Sequence, residues 1–547
     1  MTMTTSILPG TVPWPEDFQR RYREEGYWAD RTIASYIVEA AGKAPDACAL
    51  VSGTTRLSYR ELVDQMDAGA ENLLALGLKA GDRVLVQLPN NWQFVVLTLA
   101  CFRVGIIPVM TLPAHRRHEL LYLAELSQAT AIASADVIRD FDHRELAEEI
   151  ASLMPSVQHV LISGATGDLD ELLIDYHPDS TRAARLDAIA PHPDSPACFL
   201  LSGGTTGLSK LIVRTHNDYA YNVLATSRAT GISSDSVYLG TLPASHNFPL
   251  ACPGVLGALF FGGKSVMLPS PEPARAFATI AHEGVTVASA VPAVAQRWID
   301  YAKENGSAQL ESLEVLQVGG SRLADELAVR VRPDLGCTLQ QVFGMAEGLI
   351  NMTRLDDPDE IICTTQGRPV SPADEVRIVD ADGNDLPDGE PGLILTRGPY
   401  TPRGYYLAEA HNTRAFTPEG WYSSGDIVVR RPDGYLVVHG REKDMINRGG
   451  EKISAEEIEN LLYRIEAIDL AAAVSMPDAT LGERLCIYVT LRPDASLTLE
   501  YVRETFAEIG IAAYKMPEKL VVVESLPLTK VGKIDKKALR DDVIGRL

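Results

Sequence analysis

The chain is predicted to be an α/β protein, and three observations carry that expectation. Apolar runs of strand length (Arg83–Gln87, Thr130–Ser134, Val157–Ser163, Val285–Ala290, Val315–Val318) alternate with amphipathic stretches of helix length. That alternation is how βαβ units and largely parallel sheets read in a sequence. Between 372 and 440 the texture changes. Short runs such as Glu375–Val379 and Leu393–Arg397 are punctuated by Ala381-Asp382-Gly383-Asn384, Pro387-Asp388-Gly389 and Pro432-Asp433-Gly434, turn signals that predict a more antiparallel, barrel-like portion. Then comes Gly440-Arg441-Glu442-Lys443-Asp444, charged and without apolar periodicity. Beyond it the spacing predicts a helix over Ala455–Arg464, strands over Ala471–Val474 and Cys486–Thr490, and a helix over Thr498–Ile509, a compact α+β unit. A boundary in the charged segment divides residues 1–441 from 442–547.

In chain order, residues 1 to about 30, rich in Pro, Trp, Tyr and charge, predict an irregular arm. The most apolar run, Phe94–Met110, carries Arg103 in its middle. It reads as a buried helix and turn, because a membrane span needs roughly 20 apolar residues. Segment 163–196, rich in Asp, Pro and Ser, reads as a connection.

That connection leads to the strand-like Ala197–Leu201 and then to Ser202-Gly203-Gly204-Thr205-Thr206-Gly207-Leu208-Ser209-Lys210. Glycine lets the backbone take positive φ and approach a ligand closely. Successive backbone N–H groups can then face one concavity, which suits a phosphate. The hydroxyls add donors and Lys210 adds a charge. The spacing does not fit G-x-x-x-x-G-K-[ST], which disfavours a P-loop kinase or ATPase. A nucleotide-phosphate loop of this kind implies that ATP is consumed.

The 547 residues carry a formal net charge of −23, which repels phosphate backbones and argues against nucleic-acid binding. The seven cysteines include no C-x-x-C pair, so disulfide frameworks and zinc sites lack support and a reduced, cytoplasmic setting is expected. No basic stretch followed by an apolar one marks a signal peptide. Monomer and homodimer stay equally open.

Further motifs follow the loop in order: Phe343-Gly344-Met345-Ala346-Glu347, Trp421-Tyr422-Ser423-Ser424-Gly425-Asp426, the segment Gly440–Asp444, Asn447-Arg448-Gly449-Gly450-Glu451-Lys452, and Pro527-Leu528-Thr529-Lys530-Val531-Gly532-Lys533. With the loop, this set resembles the adenylate-forming superfamily of acyl- and aryl-CoA ligases, nonribosomal peptide adenylation domains and luciferases. His246-Asn247-Phe248-Pro249-Leu250 and Gln340-Gln341-Val342-Phe343 narrow it. They resemble the stand-alone aryl-acid AMP ligases that load salicylate or 2,3-dihydroxybenzoate onto carrier proteins in siderophore and antibiotic assembly. Ser209 departs from the proline usual in that family. Ala346 departs from the threonine frequent in the wider superfamily, but the aryl ligases share it.

The resemblance implies an N-terminal domain of two βαβ-type sheet subdomains plus a distorted β-barrel, and a small mobile C-terminal lid. It implies ATP and Mg²⁺ as cofactors, an aryl acid as substrate and a phosphopantetheinylated carrier protein on another chain as acceptor. Lys533 becomes the catalytic lysine between substrate carboxylate and α-phosphate. Glu347 becomes the Mg²⁺ ligand, since Mg²⁺ takes few carboxylates beside phosphate oxygens and water. Ser202, Gly203, Gly204, Thr205, Thr206, Gly207, Lys210, Gly344, Met345 and Ala346 would surround the nucleotide, with Asp426 on the ribose hydroxyls and Arg441 beside it. Asn247 would hydrogen-bond the aryl carboxylate or ortho hydroxyl, and His246, Phe248, Cys252, Gly319, Gly320, Val342 and Gly344 would form the aryl pocket. Lys443 falls at a hinge, and Gly450 and Lys452 would serve a thioester-forming state. A thiol at Cys252 is a weak hydrogen-bonding partner, so salicylate is expected to be preferred. 2,3-Dihydroxybenzoate and 3-hydroxyanthranilate are the alternatives, and an aryl-CoA ligase using free CoA is the rival reaction. A catalytically dead scaffolding relative is the rival of another class, and the intact Lys533, Glu347 and Asp426 speak against it.

Overall fold

A computed structural model describes residues 8–164, 167–202, 209–448, 451–478, 480–509, 513–529 and 532–546. Two mixed sheets form the larger part. The first has six strands in the order Leu211–Thr215, Pro196–Leu201, Ile107–Met110, Arg83–Gln87, Ala131–Ala135 and His159–Ser163. Its pairings are parallel except at the Leu211–Thr215 edge, which runs antiparallel to Pro196–Leu201. The second has nine strands. Its central members, Thr338–Met345, Val315–Gly319, Val287–Ala290, Val237–Gly240, Lys264–Met267 and Cys48–Ser52, are parallel. Antiparallel strands Gly348–Met352 and Thr55–Ser58 flank them. Strands such as Val315–Gly319 and Ala131–Ala135 are buried along their whole length, as expected where helices cover both faces.

The apolar run at 94–110 is a helix, Trp92–Val104, followed by the strand Ile107–Met110. Asn91 caps the helix by accepting from Phe94 N at 2.9 Å, and left-handed Gly105 ends it. Arg103 is buried there because it pairs with Asp67 (2.8 Å) and Asp187 (2.7 Å).

Two expectations need correction. The arm at 1–30 contains a helix, Glu16–Glu24, and is anchored rather than irregular. Trp14, Tyr22 and Trp28 are buried against one another, and the Trp28 indole donates to Pro399 O at 2.8 Å. Helix propensity is weak over nine residues with six charges; aromatic burial holds the segment. Segment 163–196 is likewise more than a connection. It carries short helices Leu169–Leu173 and Arg182–Asp187, with Leu169, Leu173 and Leu186 buried.

The antiparallel portion is a four-strand meander, Glu375–Val379, Pro391–Arg397, Tyr422–Arg430 and Leu436–Arg441. It ends in a 3₁₀ turn, Glu442–Asp444. Past it, the hairpin Ile468–Asp478/Gly482–Leu491 is joined by Ile446–Arg448, Glu451–Ile453 and the parallel strand Lys519–Val522. Helices Ala455–Leu462, Leu499–Ile509 and Lys536–Gly545 complete this unit. Its two apolar clusters of buried residues draw only on residues 446–543. Among the described residues, no helix is long and apolar enough to cross a membrane.

Candidate active site

A cavity of about 280 Å³ opens where the two large sheets, the meander and the C-terminal unit meet. Ser202 and Lys210 sit at its edge. They close the base of the predicted phosphate loop with two hydrogen bonds, Ser202 N to Lys210 O and Lys210 N to Ser202 Oγ, both 3.0 Å. Gly203, Gly204, Thr205, Thr206 and Gly207 lie outside the described residues. The loop joins two antiparallel strands, a different setting from the strand-to-helix turn of a P-loop.

One end of the cavity is walled by His246, Asn247, Phe248, Cys252, Val342 and Ile350. His246 caps the short helix Asn247–Ala251, its Nδ1 accepting from Phe248 N at 3.3 Å. Burial, with Lys533 nearby, pushes the His246 imidazole down to about 3, so the ring is neutral. Asn247 donates from Nδ2 to Cys252 Sγ at 3.4 Å, while its Oδ1 is buried without a partner among the described residues. Burial pushes the Cys252 thiol up to about 12, so it stays protonated. Gly319 backs this wall: an added Cβ would lie 2.8 Å from Val342 O and 3.2 Å from Phe248 Cζ. Gly320, at φ +86°, turns the chain past the strand end, where an added Cβ would meet Lys533 Cε at 3.2 Å.

The other end is polar. Strand Thr338–Met345 reaches it through Gly344 and Met345, and Ala346 and Glu347 form the turn to the next strand. Glu347 is 7% exposed, and its Oε1 accepts from Tyr405 Oη at 2.7 Å. The Ala346 carbonyl accepts from Arg214 Nη1 at 3.0 Å. Asp426 and Arg441 face each other across neighbouring strands, with Arg441 Nε donating to Asp426 Oδ1 at 2.9 Å. Asp426 Oδ2 is buried with no partner among the described residues.

Lys533 reaches the cavity from the C-terminal unit. A tight loop presents it: Lys533 N donates to Thr529 Oγ1 at 3.1 Å, and Thr529 N donates to Lys533 O at 2.6 Å. Burial and then Arg441 push its ammonium down to about 8, against the opposing pull of Asp426 and Glu347. Lys443, in the 3₁₀ turn, also lines the cavity, its pKa lowered chiefly by burial. The neighbouring Asp444 Oδ1 accepts from Arg540 Nη1 at 2.9 Å. Lys452 lies on the strand Glu451–Ile453, in register with Asn447; Gly450 lies outside the described residues.

Most of the expected residues that are described line the cavity, with Asp426 directly behind Arg441 and Gly319 behind the aryl wall; Lys452 is not among the lining residues. Sequence reasoning missed Tyr405, His411 and Ile350. Tyr422, Ser423 and Ser424 were inside a quoted motif without a role, and all six line the cavity. Nothing in residue type singles out Tyr405 within Arg403-Gly404-Tyr405-Tyr406.

The donor set fits a nucleotide. Lys210, Arg441, Lys443 and Lys533 outweigh Glu347 and Asp426 in charge. Asp426 Oδ2 supplies the acceptor that a ribose hydroxyl requires. No cluster of three or more His, Cys, Asp or Glu poised for a metal occurs among the described residues. A single carboxylate suits Mg²⁺, which keeps water and phosphate oxygens in its shell.

Residues 37–406 match the AMP-binding enzyme family and residues 457–533 match the AMP-binding enzyme C-terminal domain. The chain is 56% identical to a protein of Streptomyces sp named salicylyl-CoA synthase / salicylate adenylyltransferase, covering 98% of both chains. It is 46% identical to the 2,3-dihydroxybenzoate-AMP ligase of Bacillus subtilis, covering 99% of both. The apo structure of MbtA from Mycobacterium smegmatis superposes with a TM-score of 0.75 at 44% identity, covering 98% of this chain and all of that one. Motifs, cavity and full-length similarity agree, and the chain belongs to the AMP-binding enzyme family as an adenylating ligase.

Proposed function

We propose that this enzyme activates an ortho-hydroxy aryl acid with ATP and passes the acyl group to the phosphopantetheine thiol of a separate carrier protein. The observation that carries this reading is one cavity with two unlike ends. An apolar slot holds an amide oxygen without a partner among the described residues, Asn247 Oδ1, and the opposite end holds cations, with a carboxylate oxygen likewise without a partner, Asp426 Oδ2, behind Arg441. An aryl ring fits the slot, and its ortho hydroxyl donates to Asn247. A ribose hydroxyl donates to Asp426.

In the first half-reaction a substrate carboxylate oxygen bonds to the α-phosphorus, the bond to the β-phosphate oxygen breaks, and pyrophosphate leaves. Such chemistry needs positioning and charge neutralisation more than covalent help. Lys533 stands between the two ends and neutralises charge on both reacting groups, and an incoming carboxylate and phosphate favour its ammonium form. Lys210 faces the leaving side. Glu347 would hold Mg²⁺, which when bound neutralises phosphate charge. Neutral His246 adds no charge to the aryl end. In the second half-reaction the acceptor thiol loses its proton to solvent, its sulfur bonds to the acyl carbon, the bond from that carbon to the phosphate oxygen breaks, and AMP leaves. Division of the chain near 441, with rotation about Lys443 and recruitment of Gly450 and Lys452, serves this step. Hinges of that kind are a few loop residues absorbing large φ/ψ changes.

The decisive experiment is ATP–pyrophosphate exchange with salicylate, 2,3-dihydroxybenzoate, 3-hydroxyanthranilate and benzoate. Exchange with the first, and at least tenfold less with benzoate, is expected. Equal use of benzoate would remove the role given to Asn247. Free CoA is the second reading for the acceptor, favoured by the name salicylyl-CoA synthase that the Streptomyces relative carries. Loading of carrier protein compared with acyl-CoA formation separates the two.

A further inference from the structure

We infer that Tyr405 is a positioning residue that holds Glu347 and Lys210 in their working arrangement, an inference that rests on the adenylation reading above. Its Oη donates to Glu347 Oε1 at 2.7 Å and lies 3.3 Å from Tyr422 Oη. Its ring lies beneath one of the cations of the site: Lys210 Nζ is 5.5 Å from the ring centroid. One side chain therefore contacts a carboxylate through its hydroxyl and an ammonium through its π face. Hydrogen bonds to ionised groups are the strong ones, and a cation is drawn to the ring face within about 6 Å.

The ring is itself fixed from behind. Tyr405 forms a bridge to Ile212, on the strand that leaves the phosphate loop. Its backbone N donates to Asn412 Oδ1 at 2.8 Å, and Asn412 Nδ2 donates back to Tyr405 O at 2.9 Å. His411 and Phe416 pack edge-on at 5.3 and 5.7 Å. Tyr405 is 4% exposed, so its side chain is held by protein contacts on nearly every side. Left to rotate, a lone glutamate in a turn would sample several rotamers; tied to Tyr405 it offers its remaining oxygen to a cation in one place.

The test is the stabilisation of the protein by ATP as a function of Mg²⁺ concentration, followed by thermal unfolding, in wild type, Tyr405→Phe, Glu347→Gln and the double variant. Bound ligand stabilises by mass action, so the readout does not depend on turnover. Phenylalanine keeps the ring, and ligand-free Tm is expected to match wild type. The Mg²⁺ midpoint is expected to rise about tenfold in Tyr405→Phe, the scale of one hydrogen bond to a charged group. The double variant is expected to equal Glu347→Gln. Coincident Mg²⁺ curves for wild type and Tyr405→Phe, or additive losses in the double variant, would overturn the positioning role alone. A wild-type protein with no ATP-dependent stabilisation would overturn the functional reading beneath it as well.

Discussion

Asp218 and Asp426 are both buried aspartates paired with an arginine, and they are built for different ends. Asp218 is saturated. Its Oδ1 accepts from Arg214 Nε at 2.6 Å, and its Oδ2 accepts from Thr215 N at 2.6 Å and Thr215 Oγ1 at 2.8 Å. Asp426 is half used: Arg441 takes Oδ1 at 2.9 Å and Oδ2 is left buried and empty-handed. Burial of a carboxylate is costly unless its lone pairs are met. A pair that meets them all serves structure, and a pair that leaves one oxygen waiting is poised for a ligand. Here Arg214 also holds the Ala346 carbonyl, so the pair braces the turn that the active site uses, although Arg214 Nη2 has no partner among the described residues.

The sharpest way to break this contrast is Asp218→Ala. It strands the Arg214 guanidinium, fully buried, and is expected to cost about 3–5 kcal/mol of stability, read by denaturant unfolding. A loss under about 1 kcal/mol would show that Asp218 is not a closed structural pair.

Next in size is Lys533→Ala, which removes a preorganised charge from the unsaturated region. Exchange is expected to fall on the order of 10²–10³-fold with ligand-free Tm nearly unchanged. The same lysine sets a pH limb. Its pKa is lowered to about 8 by burial and Arg441, so the ammonium is lost as pH rises through about 8 rather than through the ordinary lysine range. kcat/KM for exchange should then drop about tenfold per pH unit above that point. Near-normal exchange in the alanine variant, or a flat profile to pH 10, would end the assignment.

Asp426→Asn comes third. Trading the waiting acceptor for an amide is expected to weaken ATP about tenfold, measured by calorimetry, without the stability loss of Asp218→Ala. Equal destabilisation by the two variants would erase the distinction between them. The smallest effect belongs to Cys252. Salicylate is expected to be preferred over 2,3-dihydroxybenzoate by less than about tenfold, because an apolar site rejects an added hydroxyl only weakly. Cys252→Ser should narrow or reverse that preference. A tenfold preference for 2,3-dihydroxybenzoate in the wild-type exchange panel would show that Cys252 does not decide selectivity.

Much of the architecture was legible as pattern. Glu375–Val379 and the helix at 455 stand where their spacing put them, because strand and helix periods are local properties of the chain. The helix in the N-terminal segment was not legible. Its anchor, Trp28, reaches a carbonyl 371 residues away, and no local window contains that partner.

The site divides along the same line. Lys533, Glu347, Asp426 and the aryl-pocket residues could be named because they sit in motifs whose order the chain itself displays. The order alone leaves Lys530, Lys536 and Lys537 as competitors of Lys533, and Lys530 lies outside the described residues. The structure places Lys533 in the cavity and sends Lys536 to a buried pair with Glu459 at 2.9 Å. Sequence therefore determined the fold class, the ligase chemistry and the roster of candidate residues, all properties of order and spacing. Tertiary structure alone decided that Lys533 lines the cavity while Lys536 pairs with Glu459, which aspartate keeps an oxygen without a partner among the described residues, and that Tyr405 joins Glu347 to Lys210. Those depend on contacts between segments far apart in the chain, where hydrogen bonding and burial, not sequence neighbours, set each group's charge and partners.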